Sequence, residues 1–299
     1  MTALRIGMAG LDTSHVIAFA ALLHDTSHEF HVPGARISTA FGGGSPDFDL
    51  SITRVGRFTD ELRDKHGVEI VDSISAMRRK CDAIMLESID GRIHLPQFRE
   101  VAGWGIPVFI DKPLTTSRFE AQEIAKIALE KRVRVSSASA LRFSQAFRKA
   151  LNASEDPVIG ADLHGPMPFQ EKCPGYFWYG IHAAEMLFAS MGRGCRSVQA
   201  FREEHHDIVV GRWRDGRLGV MRGNRKGNSS FGGLIHRASQ TSSFDVSSDE
   251  KPFYTSLLEQ VISFFRGECE LVRLEETVEV IGFLEAANIS AATKEPVIF

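Results

Sequence analysis

Residues 82–113 read DAIMLESIDGRIHLPQFREVAGWGIPVFIDKP, and this stretch decides the fold. Its two ends are short apolar runs that are typical of buried parallel strands, and the part between them predicts one helix. In an open parallel sheet, ligands gather at the carboxyl ends of the strands. Those ends carry Glu87, Ser88 and Asp90 on the first strand, and Asp111 and Lys112 on the second. Pro113 biases Lys112 towards an extended conformation, so we expect its ammonium at the lip of the sheet, the alternative being an ordinary surface lysine.

The composition is that of an ordinary globular chain. The 299 residues are 43% hydrophobic and 24% charged, with a formal net charge of −3. No block of like charge suggests a nucleic-acid or membrane partner, and no apolar run approaches the roughly 20 residues of a membrane helix. The four cysteines form no CxxC pair, and the N-terminus runs straight into a strand pattern without the features of a signal peptide. We therefore expect a cytoplasmic protein with its cysteines as thiols.

Strands and helices alternate over the first 140 residues. Besides the two strands above, the pattern predicts strands at 4–10, 35–41, 68–71 and 133–137. It predicts helices from about 14 to 23, at 59–67, at 73–80 and at 117–132. Such alternation is typical of a doubly wound α/β domain, which we place at residues 1–140.

The pattern changes in residues 141–299. Predicted strands follow one another without helices between them, at 207–213, 217–222, 230–236 and 241–246. They favour an antiparallel meander within an α+β domain, with helices packed on one face of a predominantly antiparallel open sheet. The other face, carrying Val209, Trp213 and Val220 or their alternates, would be exposed in a monomer, which predicts a homodimer or homotetramer through the sheet.

Six short motifs carry a family resemblance. They are IGMAG at residues 6–10, DAIMLES at 82–88, IDKPL at 110–114, ALRF at 140–143, GIHAAEML at 180–187 and AANISAATKEPV at 286–297. In this order and spacing they resemble the Gfo/Idh/MocA oxidoreductases, the family of glucose–fructose oxidoreductase and the inositol dehydrogenases. The resemblance covers nearly the full length. It implies a Rossmann domain that binds NAD or NADP, a C-terminal substrate and oligomerisation domain, and catalytic roles for Lys112 and His182.

The dinucleotide fingerprint departs from the family pattern. It normally carries three glycines, which allow a tight turn, close approach to the pyrophosphate and helix–strand packing. Here it reads Gly10-Leu11-Asp12-Thr13-Ser14-His15 and keeps only the first glycine. The carboxylate of Asp12 would repel a pyrophosphate unless it turns away, whereas Thr13, Ser14 and the helix N-terminus can still hold phosphate.

The end of the second strand also lacks the acidic residue that usually binds the ribose. Residues 42–45 read Gly-Gly-Gly-Ser, and Arg54 and Arg57 follow. This favours NADP weakly over NAD, or another phosphate, with a flexible turn as the alternative. The predicted cofactor ligands are Gly10, Asp12, Thr13, Ser14, His15, Gly43, Ser45, Ser88, Asp111 and Lys112.

The surroundings of His182 depart from the family as well. Trp178 replaces the aspartate that usually stands four residues earlier, and Glu185 stands on the same helical face as the histidine. We assign Arg142, Trp178, Tyr179 and Glu185 as the candidate substrate contacts, with Arg142 for an acidic substrate group. No metal site is predicted, because His24, His28 and His31 are best interpreted as the solvated end of a helix.

These features predict an NAD(P)-dependent oxidoreductase acting on a sugar, polyol or sugar derivative, with Lys112 and His182 facing one cleft. Lys112 would stabilise the developing charge on a substrate hydroxyl, and His182 would take its proton. The alternatives are a non-catalytic member that binds a sugar-like or phosphorylated ligand, and an elimination or hydrolysis enzyme.

Overall fold

The computed structural model describes residues 3–299, and its first sheet has six strands. They are β1 (Leu4–Ala9), β2 (Ala35–Phe41), β3 (Glu69–Val71), β4 (Ala83–Leu86), β5 (Val108–Ile110) and β6 (Val135–Ser136). Their order is β3-β2-β1-β4-β5-β6, and every neighbouring pair is parallel. The doubly wound sheet is therefore confirmed, and its strand order reverses beside β1, where such sheets bind ligands.

Eight α-helices accompany the two sheets in the described residues. They are α1 (Ser14–His24), α2 (Asp49–His66), α3 (His94–Val101), α4 (Arg118–Lys131), α5 (Gln145–Leu151), α6 (Gly180–Met191), α7 (Phe253–Arg266) and α8 (Leu274–Thr293). In the part that the structure describes, no helix combines the length and apolar character needed to cross a membrane.

Three predicted helices have the wrong length. The helix predicted at 59–67 begins ten residues earlier, at Asp49. The sequence pattern missed this start because only three side chains of the helix are buried, which leaves its apolar pattern weak. The helix predicted at 73–80 is a single 3-10 turn at Ser75–Met77, which ends at Arg78 with a ψ of 132°; Arg79, with a φ of 69°, is not helical either. The segment between β4 and β5 is a 3-10 turn at Gly91–Ile93 followed by α3, rather than one helix.

The second sheet has seven strands. They are β7 (Val158–Pro166), β8 (Cys195–Arg202), β9 (His206–Trp213), β10 (Leu218–Asn224), β11 (Gly232–Arg237), β12 (Thr241–Asp245) and β13 (Val297–Ile298). Their order is β12-β11-β7-β10-β9-β8-β13. The predominantly antiparallel sheet is confirmed, but the meander is wrong, because β7 inserts between β10 and β11 and pairs in parallel with β10. Two glycines, an aspartate and a histidine within VIGADLHGP hid β7 from pattern reading.

One face of the second sheet packs on helices, and it carries Val209 and Trp213, so of the two alternatives the open face carries their alternates. Val209 and Trp213 are 0% and 1% exposed, and the Trp213 ring lies 5.5 Å from that of Phe188 on α6. The alternate positions point away from this core, and they include Leu218 at 48% and Leu234 at 38% exposure.

The chain forms two compact units. The first comprises the chain up to Thr115 together with 119–138 and 254–274, and the second comprises 116–118, 139–253 and 275–299. The change at 138/139 lies close to the predicted boundary after residue 140, but 254–274 belongs to the first unit. Hydrogen bonds explain this, since the Ser136 hydroxyl on edge strand β6 donates to the Val272 carbonyl and accepts from the Val272 amide, at 3.0 and 3.1 Å.

We predict that Gly10→Ala destabilises the protein strongly. Gly10 has a φ of 89°, and a Cβ there would lie 2.2 Å from Ser88 Oγ and 2.5 Å from Ser88 N. The matched control is Gly216→Ala, where φ is 91° but no described atom lies within 4 Å of the new Cβ. Both variants should lose about 1–2 kcal/mol through backbone strain, and Gly10→Ala about 1–3 kcal/mol more through the clash. Urea unfolding measures the difference, and equal losses would contradict the close approach of Ser88.

Candidate functional site

The turn after β1 buries the carboxylate that seemed to oppose phosphate binding. Asp12 is 0% exposed, and its carboxylate accepts hydrogen bonds from the Ile89 amide at 2.9 Å and the Ser51 hydroxyl at 2.5 Å. Burial raises its pKa, and the two hydrogen bonds oppose that rise. Thr13 caps α1 by accepting from the His15 amide, while Ser14 is exposed. The Asp12 side chain therefore ties the β1 turn to β4 and α2, and it is not a phosphate ligand as it stands.

The loop after β2 lies against the turn after β1, at the edge of the sheet where the crevice of doubly wound folds binds ligands. Gly43 and Gly44 have φ values of 65° and 103°, and a Cβ on Gly43 would lie 3.5 Å from the Cα of Gly10. A side chain at position 43 would thus fill the space over the β1 turn. In doubly wound folds this space receives a dinucleotide. The backbone here fits such a ligand, with the N-terminus of α1 available for its phosphates.

Ser45 is engaged within the protein. It is 3% exposed, and its hydroxyl donates to Asp90 at 2.7 Å. Asp90 also accepts from the guanidinium of Arg92, which binds both oxygens of Asp47 at 3.0 Å. This network joins the loops after β2 and β4. In this arrangement Ser45 holds a loop and does not present its hydroxyl to a ligand.

Three titratable side chains converge at the carboxyl edge of the first sheet. Glu87 follows β4, Asp111 follows β5, and His15 lies in the first turn of α1. The Nδ1 of His15 lies 2.9 Å from Asp111 Oδ2 and 4.0 Å from Glu87 Oε2. Burial, followed by the charge of Asp111, raises the pKa of Glu87 well above its usual range. Burial also opposes ionisation of Asp111, but the charges of His15 and Lys112 outweigh it and hold the Asp111 pKa at about 2. The ring of Tyr254 lies 5.0 Å from that of His15.

A buried histidine anchors the segment that carries Lys112. The Nδ1 of His94 lies 3.0 Å from the Pro113 carbonyl oxygen, and its Nε2 lies 2.8 Å from the Ser88 carbonyl oxygen. His94 therefore links the segment after β4 to the segment after β5. Lys112 itself is half-buried, consistent with the predicted position at the lip of the sheet. Sequence reasoning left His94 aside because its register was unclear.

In the second unit, His182 sits among aromatic rings and contacts a serine. Its Nδ1 lies 2.7 Å from Ser139 Oγ, which also accepts a hydrogen bond from the Leu141 amide at 3.2 Å. The rings of Tyr179 and Phe231 lie 5.6 and 5.4 Å from the imidazole. Ser139 was missed by sequence reasoning, and it contacts the imidazole in place of the aspartate expected at position 178. Trp178 lies beside Tyr179, with ring centroids 6.0 Å apart.

Two of the predicted substrate contacts bind each other instead. Arg142 is 8% exposed, and its guanidinium donates to Glu185 at 2.7 Å and also to Glu276. Burial raises the pKa of Glu185 to about 7, although Arg142 opposes the shift. With its charge paired by two carboxylates, Arg142 ties α6 and α8 to the 140–143 turn and is not poised for an acidic substrate group.

We predict a pH-dependent contribution of Glu185 to stability. Its pKa is raised from 4.5 to about 7, so the folded protein binds this proton more tightly than the unfolded chain does. The stabilisation is full below pH 4.5 and is lost as the pH rises through 7. Relative to Glu185→Gln, the unfolding free energy of the wild type should therefore fall by about 3 kcal/mol between pH 4.5 and 8. Denaturant unfolding across this range tests it, with Glu275→Gln as the control for losing one charge, and a constant difference would contradict it.

The three histidines at 24, 28 and 31, for which no metal site is predicted, contact backbone groups. His24 Nε2 accepts from the Ile37 amide at 3.0 Å, and His28 Nδ1 accepts from the Phe30 amide at 3.0 Å. His31 lies 3.0 Å from the Leu22 carbonyl oxygen. All four cysteines are thiols.

Comparisons with known proteins agree with this architecture. Residues 52–139 match the family model GFO_IDH_MocA, described as an oxidoreductase family with an NAD-binding Rossmann fold. No curated protein matches the sequence. Among solved structures, GenD2 from gentamicin A biosynthesis in complex with NAD is 16% identical, with a TM-score of 0.79, over 100% of this chain and 97% of that chain.

Two further structures extend the comparison. A myo-inositol dehydrogenase from Corynebacterium glutamicum is 16% identical, with a TM-score of 0.77, over 99% of both chains. The WlbA dehydrogenase from Bordetella pertussis, in complex with NADH and UDP-GlcNAcA, is 16% identical, with a TM-score of 0.75, over 100% of this chain and 98% of that chain. At such identities these likenesses concern the fold. The family model matches the stretch from α2 to the end of β6, so the resemblance carried by the motifs is confirmed for that part of the chain, and the solved structures show that the fold is shared over its whole length.

Proposed function

We propose that the protein is a nicotinamide-dependent oxidoreductase acting on the CH–OH group of a sugar, polyol or sugar derivative. The observation that carries this proposal is the placement of Lys112, half-buried at the carboxyl edge of β5 in a segment anchored by His94. The substrate class is supported by the similar structures, which include inositol dehydrogenases and a dehydrogenase bound to a UDP-sugar acid.

The cofactor would be held chiefly by backbone groups. Gly10 and Gly43 keep the crevice beside β1 clear, and the α1 N-terminus with Thr13 and Ser14 would bind the pyrophosphate. A bound nicotinamide supplies hydride exchange with the carbinol carbon. The preference for NADP over NAD stays a prediction that now rests on Arg54 and Arg57, because Ser45 is engaged by Asp90.

Two side chains are assigned to the substrate hydroxyl. The Lys112 ammonium would donate a hydrogen bond to it and stabilise negative charge as its proton leaves. His182 would accept that proton, because a neutral imidazole is a base of suitable strength near pH 7. Nδ1–H can donate to the Ser139 oxygen, which would orient the ring and leave Nε2 as the basic nitrogen that takes the proton. Trp178 and Tyr179 would line the ligand space beside the ring. These roles give Ser139 the positioning task that an aspartate performs in the family.

The first test is cofactor binding, followed by turnover. Titration with NADH and NADPH, read by nicotinamide fluorescence, should show saturable binding. Activity is then assayed over inositols, sugars and sugar acids. Lys112→Met keeps most of the stem and removes the charge, so kcat should fall about 100–1000-fold with little change in cofactor affinity or melting temperature.

The matched control is Lys131→Met, at the exposed end of α4, which should retain full activity. A Lys112→Met enzyme within threefold of the wild type would end the catalytic assignment. A protein that binds neither nucleotide and shows no turnover would instead indicate the ligand-binding alternative.

We also propose a homodimer or homotetramer formed through the second sheet. Its outward positions include Leu218 and Leu234, whose exposed apolar area is costly in water. Light scattering should report an oligomer for the wild type and a monomer for the double change Leu218→Glu, Leu234→Glu. Phe119→Glu, at a 68% exposed position on α4, is the control and should not dissociate the protein. A monomeric wild type at micromolar concentration would refute this interface.

We also propose a cytoplasmic location, because all four cysteines are free thiols, as is usual in a reducing compartment.

A further inference from the structure

We propose that His15, Glu87 and Asp111 form a binding site for one divalent transition-metal ion. One imidazole nitrogen and one oxygen from each carboxylate would serve as ligands, and these three atoms all lie within 4.8 Å of one another. Neither the fold nor the hydride-transfer proposal requires this ion. Its ligands belong to the first unit alone.

The donor atoms are buried and lack hydrogen bonds. Within residues 3–299, none is formed by His15 Nδ1, by either oxygen of Glu87 or by Asp111 Oδ2. The Nδ1–Oδ2 contact is 2.9 Å long, yet it lacks the angles of a hydrogen bond. Buried polar atoms in proteins nearly always have a partner, and leaving a carboxylate without one is costly. Three such side chains pointing at one place therefore indicate a ligand that they share.

The distances suit a metal ion. Nitrogen and oxygen ligands bind zinc at about 2.0–2.2 Å, so two donors on one ion lie at most about 4.4 Å apart. The two measured separations from His15 Nδ1, 2.9 and 4.0 Å, fall within that limit. A direct ion pair would explain only the first of them, because it leaves Glu87 without a partner.

Charge balance points the same way. Glu87 and Asp111 are 0% and 1% exposed, so both can be ionised together only with positive charge beside them. The positive charge of Lys112 acts on both carboxylates, but Lys112 is half-buried at the lip. A divalent cation would neutralise the pair and bind the atoms that remain unsatisfied.

The scaffold holds the ligands in place without the ion. Two follow adjacent parallel strands, and the third lies in the first turn of α1, which Thr13 caps. The rings of Tyr254 and Phe19 lie 5.0 and 6.0 Å from the imidazole of His15 and restrict its movement. Ligands on such rigid elements are preorganised for binding.

The ligand set indicates the kind of metal. One imidazole and two carboxylates suit Mn²⁺, Fe²⁺ or Zn²⁺ better than the all-oxygen sets of Ca²⁺ and Mg²⁺. Three protein ligands leave at least one coordination position open. A hydroxyl, carboxylate or phosphate oxygen of a small molecule would be the chemistry that this position accepts.

The test uses the full chain, stripped with a chelator and assayed without nicotinamide. Calorimetry with Zn²⁺ and with Mn²⁺ should give one site per chain, and the better-binding metal should raise the melting temperature by several degrees. Glu87→Gln preserves shape and removes a charged ligand, so affinity should fall by at least about 100-fold, the upper range for losing even an indirect metal contact. The same variant without metal should be at least as heat-stable as the wild type, because an amide is easier to bury than a carboxylate.

His206→Asn, at an exposed histidine on β9, is the matched control and should leave metal binding unchanged. His15→Asn is a second ligand variant and should lose binding as Glu87→Gln does. Absence of one-to-one binding by both metals would overturn the proposal. So would unchanged affinity in both ligand variants, or an equal loss in the His206→Asn control. Since nicotinamide is omitted, these outcomes are separate from success or failure of the hydride-transfer proposal.

Discussion

The first unit depends on the cost of burying carboxylates at the end of a parallel sheet. Parallel strands bring their carboxyl ends to one edge, and here Asp12, Glu87, Asp90 and Asp111 all lie there at 2% exposure or less. Each requires hydrogen bonds or positive charge to be tolerated. Asp12 and Asp90 obtain hydrogen bonds that also tie neighbouring loops together, and Asp111 obtains positive charge from His15 and Lys112.

Asp12 and Asp90 connect neighbouring loops through hydrogen bonds. Asp12 joins the β1 turn to the Ile89 amide and to Ser51 on α2, while Asp90 joins Ser45 after β2 to Arg92. In the second unit the buried charge is positive, and two glutamates bind it, since Arg142 pairs with Glu185 and Glu276. In both units, charged side chains that the sequence suggested as ligand contacts are instead paired with other groups of the protein. Glu87 is the exception, because neither of its oxygens forms a hydrogen bond within residues 3–299.

The sequence predicted what depends on local pattern. Short apolar runs alternating with helices were enough for the parallel sheet, and IDKPL was enough to place Lys112 at its edge. It missed β7, which carries polar residues because only one face of that strand is buried. It also left open which face of the second sheet is covered, because the packing of α6 on Trp213 is a tertiary contact. Ser139 was invisible because its role comes from a contact 43 positions away in the chain. No periodicity signals such a contact.

The altered glycine fingerprint is best understood through what its side chains do. A glycine at position 12 could not bind Ile89 and Ser51, and one at position 15 could not reach Asp111. Only Gly10 is kept, because Ser88 approaches too closely for any Cβ. Asp12 and His15 therefore replace two conformationally free glycines with side chains that interact at the edge of the sheet. Asp12 also adds a carboxylate near the α1 N-terminus, and when ionised it weakens the attraction of that terminus for an anionic ligand. An anionic ligand at this edge would thus bind more readily with a cation beside it. The affinity for such a ligand therefore depends on the charges of Asp12 and of the cluster formed by His15, Glu87 and Asp111.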